Sequence, residues 1–134
     1  MKQQLKQYRI INLVFAGIIS LIFIYSGIFS YENANHPVPS FYSLATGEET
    51  LSTGLSRSFS AIVRLQFDIA HQFNTHGLRL FLFFFLQFFL RITFFLLASK
   101  KSQYLKQVVI IDAIISTLLF IVHFEPFIEE AVYR

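Results

Sequence analysis

The sequence predicts an all-α membrane protein with three transmembrane helices and one interfacial amphipathic helix in the long loop between the first and second. Three observations carry that expectation. Residues 10–30, 78–97 and 108–124 are apolar runs long enough to cross, or nearly cross, a hydrocarbon core of roughly 30 Å at about 1.5 Å per residue. The chain is 54% hydrophobic with a mean hydropathy of +0.56, more than a soluble domain of 134 residues requires. Lys2, Lys6 and Arg9 precede the first run, and Lys100, Lys101 and Lys106 separate the second from the third, so positive charge is concentrated at two junctions.

The first run, 10–30, is too long for the apolar core of a signal peptide, and no small-residue cleavage pattern follows it, so it reads as a retained helix. Ala16, Gly17 and Ser20, then Ser26, Gly27 and Ser30, supply small residues where a neighbouring helix can approach closely. Residues 31–53 carry Pro37, Pro39, Gly47 and several Ser, Thr and Asn, which is turn chemistry without helical period. At Gly54 the pattern changes. Leu55, Phe59, Ile62, Val63, Ile69, Ala70 and Phe73 recur at helical spacing, with Arg57, Arg64, Asp68 and His71 on the opposite stripe. This predicts an amphipathic helix over Leu55 to Phe73, within residues 54–76, lying at the outer interface with Thr53 as its N-cap.

The second and third runs, 78–97 and 108–124, form a helical hairpin around the basic segment. Both basic clusters then fall on one side, which for three spans is the cytoplasm. The N-terminus is expected inside, and the loop and the acidic tail 125–134 outside a bacterial inner membrane. Pro126 is expected to break the last helix. No cysteine is present, which excludes a disulfide framework, a thiolate metal site and a cysteine nucleophile. With no Trp among the aromatics, Tyr must serve as the interface marker. The basic residues flank apolar runs instead of forming one patch, so nucleic acid is not an expected partner.

The segment from Ser40 to Gly47, followed by Thr50, Thr53 and the run Gly54-Leu55-Ser56-Arg57-Ser58-Phe59, resembles a bacterial small membrane-protein family catalogued as domain of unknown function 2752. Thr46, Gly47, Gly54 and Arg57 match the pattern of that family, and Ser56 keeps its hydroxyl. The family's cysteines are replaced by Ser40, Thr50 and Thr53, and the prolines of its two Cys-Pro steps by Phe41 and Leu51. The resemblance implies an architecture of membrane helices around a structured loop. Any thiol or metal chemistry of the cysteines would be lost in this divergent chain.

Two charges lie inside the apolar runs. Arg91 and Asp112 are each about ten residues from the middle of the hairpin loop, which gives them equal depth. An intramembrane charge costs roughly 2.5 to 3.5 kcal/mol on insertion scales and needs a partner, a wet cavity or an escape to the interface. Pairing of Arg91 with Asp112 meets that need, and so does snorkelling of the guanidinium to a boundary about 9 Å away. A third reading is an ion or proton path through Arg91, Asp112 and Gln87, one turn earlier.

Other candidates are weaker. Asp68 and His71 could offer two metal ligands at i, i+3, and His36, His76 and His123 lie toward the same side, but the wet face of a helix accounts for them. Glu48 and Glu49 read as solvated turn residues, and no nucleophile elbow surrounds Ser56, Ser58 or Ser60. No catalytic set, cofactor site or metal site is expected. The expected function is that of a non-catalytic small subunit or accessory factor of a bacterial inner-membrane protein complex, with membrane lipid and another membrane protein as partners. The alternative is a component of an oligomeric small transporter or channel using Arg91 and Asp112, which requires a homo-oligomer.

Overall fold

The computed structural model describes residues 2–32, 51–100 and 102–133, and every regular element among them is helical. In chain order these are α1 (Lys2–Ile28), α2 (Leu55–Val63), α3 (Phe67–Phe73), α4 (Gly77–Lys100), a 3₁₀ turn (Ser102–Tyr104) and α5 (Leu105–Tyr133). Three of them, α1, α4 and α5, are long and apolar enough to cross a membrane. The polar loop of residues 33–50, with His36, Thr46, Gly47, Glu48 and Glu49, lies outside the described residues, as does Lys101. The chain forms two compact units, Met1–Ser20 with Phe83–Arg134, and Leu21–Leu82.

In the first unit the buried positions repeat every three or four residues along each helix. They are Asn12, Ala16 and Ile19 on α1, Gln87, Arg91, Phe94 and Ala98 on α4, and Leu105, Val108 and Asp112 on α5. That period puts one stripe of each helix against its neighbours. The other faces, with Leu13 and Ile18, Leu86 and Phe89, Ile114 and Leu118, are exposed and apolar, a surface suited to lipid and not to water. Toward the end of α5, Phe83, Phe120 and Phe124 pack ring on ring, with centroids 5.0 Å apart for Phe83 and Phe124 and 4.6 Å for Phe120 and Phe124.

Helix α5 does not stop at Pro126, where the sequence predicts a break, but continues to Tyr133. Proline removes one backbone donor, yet Phe124 and Phe127 touch across it, and Glu129, Glu130 and Ala131 beyond it favour helix. Helix α1 likewise starts at Lys2, ahead of the apolar run.

In the second unit the predicted single amphipathic helix is two helices. Arg64, at the end of α2, is followed by Leu65 with φ of 60°. The Leu65 N–H bonds the Ile62 carbonyl at 2.9 Å and the Gln66 N–H bonds Ala61 at 3.0 Å. These two bonds with a left-handed residue between them are a Schellman ending, usually built on glycine. With leucine there instead, the sequence carries no visible stop signal. The helix start differs too. Thr53 is not the N-cap; Gly54 is, at φ 75°, without a side-chain capping bond.

Gly54 is required twice over, because a Cβ there would sit 2.2 Å from the Phe73 carbonyl oxygen as well as in a left-handed conformation. Asn74 ties the segment before α2 to the end of α3, its amide donating to the Leu51 and Thr53 carbonyls at 2.6 and 2.9 Å. Phe59 packs edge-on against Phe81, and Phe23 against the same ring.

Gly54→Ala is expected to destabilise the protein by more than about 1 kcal/mol, whereas Gly17→Ala, whose added methyl meets nothing within 4 Å, should be neutral or slightly stabilising. Thermal unfolding of both variants in detergent checks the contrast, and equal melting temperatures would contradict it.

Candidate functional site

The buried stripe of the first unit is polar at one level. On α4, Arg91 follows Gln87 by one turn, and on α5, Ser116 follows Asp112 by one turn, so each helix presents its polar pair on the face it buries. Arg91 is 9% exposed and Asp112 5%. The guanidinium grips the carboxylate with both terminal nitrogens, Nη1 to Oδ2 at 3.1 Å and Nη2 to Oδ1. This is the bidentate fork that favours arginine over lysine for pairing with a carboxylate. Of the two structural readings open in the sequence, the side chains adopt the pair and not the snorkel.

Two further donors complete the carboxylate. The Tyr8 hydroxyl of α1 donates to Oδ2 at 2.5 Å, and the Ser116 hydroxyl donates to Oδ1 at 3.0 Å. Each carboxylate oxygen therefore has two partners, which is the full acceptor capacity of an ionised Asp. Arg91 Nη2 also lies 2.6 Å from Ser116 Oγ. Asn12, with no exposed surface, bonds its amide to the Tyr8 carbonyl at 3.0 Å. Three helices thus meet at a single carboxylate. Two buried polar atoms close by, Arg91 Nε and Asn12 Oδ1, have no protein partner. Nearer the basic end, the Arg9 guanidinium lies 4.9 Å from the centre of the Phe95 ring.

Chemically, the cluster holds charge in place. An aspartate with four donors on its two oxygens has no lone pair left for a passing cation. Gln87 is buried one turn from Arg91 but makes none of these bonds.

The remaining predicted residues do not share one polar face. Arg57 stands 5.6 Å from the centre of the Phe73 ring. Ser56 is half-buried at the start of α2, and Gly54 forms the turn before it. Arg64 turns onto α1, donating from Nη1 to the Ser26 carbonyl at 3.1 Å and from Nη2 to the Gly27 carbonyl at 2.9 Å. Only Asp68 and His71 stay on the exposed side of α3. Among the described residues no three His, Cys, Asp or Glu side chains come together around a metal position.

Sequence reasoning missed Tyr8, Asn12 and Ser116. The signal was present in Asn12, an amide inside an apolar run and one turn beyond Tyr8, and in Ser116, one turn beyond Asp112. Neither protein-family models nor characterised proteins nor solved structures match the chain.

Asp112→Ala, which strands a buried guanidinium, is expected to lower stability by about 3 to 5 kcal/mol, and Tyr8→Phe, which removes one bond to a charged group, by about 1.5 to 3 kcal/mol. Replacing Arg91 and Asp112 together by Leu should recover part of the loss in folded yield. If the single Asp112→Ala variant folds as well as the parent in detergent, the pair is not what joins these helices.

Proposed function

We propose that this chain is a non-catalytic small subunit or accessory factor of a bacterial inner-membrane protein complex, with its N-terminus in the cytoplasm. The observation that carries the proposal is the saturation of Asp112. A transport carboxylate has to exchange partners with its cargo, while here four donors, two of them from a bidentate arginine, fix it. Polar capacity is spent on joining helices, which suits a part whose work is to be a rigid shape beside something else.

On this reading α2 and α3 lie at the outer membrane surface, and the exposed side of α3 with Asp68 and His71 docks the partner, together with the polar loop before α2. The loop motif supports a distant relation to the family of domain of unknown function 2752, without its cysteines. Lipid covers the apolar faces of α1, α4 and α5.

Tagged full-length protein extracted from its native membrane in mild detergent is expected to elute with a second membrane protein at fixed stoichiometry. Asp68→Ala with His71→Ala should release that partner while leaving the melting temperature unchanged. Elution as a lone monomer overturns the subunit reading. Elution as a homo-oligomer whose ion flux in liposomes falls on Asp112→Asn would favour a transporter instead.

A further inference from the structure

The turn between α2 and α3 combines exposed apolar side chains with a left-handed backbone. Leu65 is 76% exposed although it is a large apolar residue, and its neighbours Val63 and Phe67 are 40% and 49% exposed. Leu65 also holds φ of 60°, a left-handed conformation that a side chain disfavours relative to the right-handed one. Glycine would remove that strain. A leucine at a strained, exposed turn points to a role for its side chain.

The second unit fixes where the turn sits. Arg64, immediately before Leu65, bonds the carbonyls of Ser26 and Gly27 in the last turn of α1, and the Ser60 hydroxyl bonds the Phe29 carbonyl at 2.5 Å. On the far side of the turn, Tyr31 bonds Gln66 and packs against Phe73. Helix α2 therefore comes down beside residues 26–29 of α1, and α3 returns toward residue 31. The turn is level with the final turn of a membrane-crossing helix, whose own exposed residues there are Ile24 and Ile28. Val63, Leu65 and Phe67 are thus exposed apolar residues of the same unit as Ile24 and Ile28.

The backbone agrees. The N–H groups of Arg64, Leu65 and Gln66 all bond carbonyls of α2, at 2.9 to 3.1 Å. This is the ordinary closure of a Schellman ending, and it leaves those three donors satisfied, as a position in lipid requires. The Arg64 charge is similarly occupied, all its bonds ending on carbonyl and hydroxyl oxygens.

We propose that the α2–α3 turn is a membrane wedge, in which Leu65, with Val63 and Phe67 beside it, enters the acyl region of the outer leaflet and anchors the segment to lipid. This rests on the placement of α2 and α3 at the outer membrane surface, and it leaves the polar side of α3 to the protein partner. The insertion depth is that of an interfacial anchor, about 5 to 10 Å below the headgroups.

Because the chain contains neither Trp nor Cys, single reporters are unambiguous. Phe67→Trp in full-length protein reconstituted alone into phosphatidylcholine vesicles is expected to lose about half its emission to lipids brominated high on the acyl chain, and little to aqueous iodide. A nitroxide on Leu65→Cys should be more accessible to oxygen than to a water-soluble nickel chelate, which checks the depth if the tryptophan variant folds poorly. Quenching by iodide and not by bromolipid places the turn in water and overturns the wedge; protection from both quenchers places it under protein and overturns it equally. These vesicles contain no partner, so a chain that elutes alone from its native membrane yet is quenched by bromolipid loses the subunit reading and keeps the wedge.

Discussion

The pairing of Arg91 with Asp112 is the constraint on which the three long helices depend. Between apolar helices in lipid there is no hydrophobic force to select a packing face, because lipid tails are as apolar as leucine. A charge inside the run supplies the selection. Once Arg91 must meet Asp112, the stripe Gln87, Arg91, Phe94, Ala98 turns inward, and so does Leu105, Val108, Asp112. Tyr8 then extends the choice to α1 through its bond to the same carboxylate. The faces left over are apolar and exposed, which is tolerable only in lipid.

A related demand, that the carbonyls at a helix end find donors, shapes the second unit by a different route. The last carbonyls of α1 have no intrahelical donors, and they carry the negative end of the helix dipole. Arg64 supplies both the hydrogen bonds and the opposite charge. It can do so only because α2 ends before it, in a turn that swings the chain away after Arg64. Arg91 answers a carboxylate and Arg64 answers a helix end, and in both cases the planar guanidinium serves several acceptors at once.

These facts bear on what the sequence made legible. The three long helices follow from run length, and the meeting of Arg91 with Asp112 from symmetry about the hairpin loop, since depth along a helix is a matter of residue counting. The ending of α2 was illegible because the residue in the left-handed position is Leu65, where pattern reading expects glycine, and apolar spacing continues across it. Pro126 misled in the opposite sense, since one lost backbone bond is a local loss that flanking aromatic contacts and helix-forming residues outweigh. Tyr8 gives no local signal, because its bond to Asp112 joins positions 104 residues apart.

Whether the polar cluster joins helices or moves ions turns on how its acceptors are filled. A cation reaching Asp112 would have to displace Tyr8, Ser116 or one arm of Arg91, and each displaced donor would then be stranded in a site that offers few alternatives. Bonds to charged groups contribute about 1.5 to 3 kcal/mol each, so the exchange is opposed unless the helices separate. An anion drawn to Arg91 would face Asp112, and a cation drawn to Asp112 would face Arg91. The bonds of the cluster join α1, α4 and α5 at one carboxylate, and an ion of either sign would meet the opposite member of the pair.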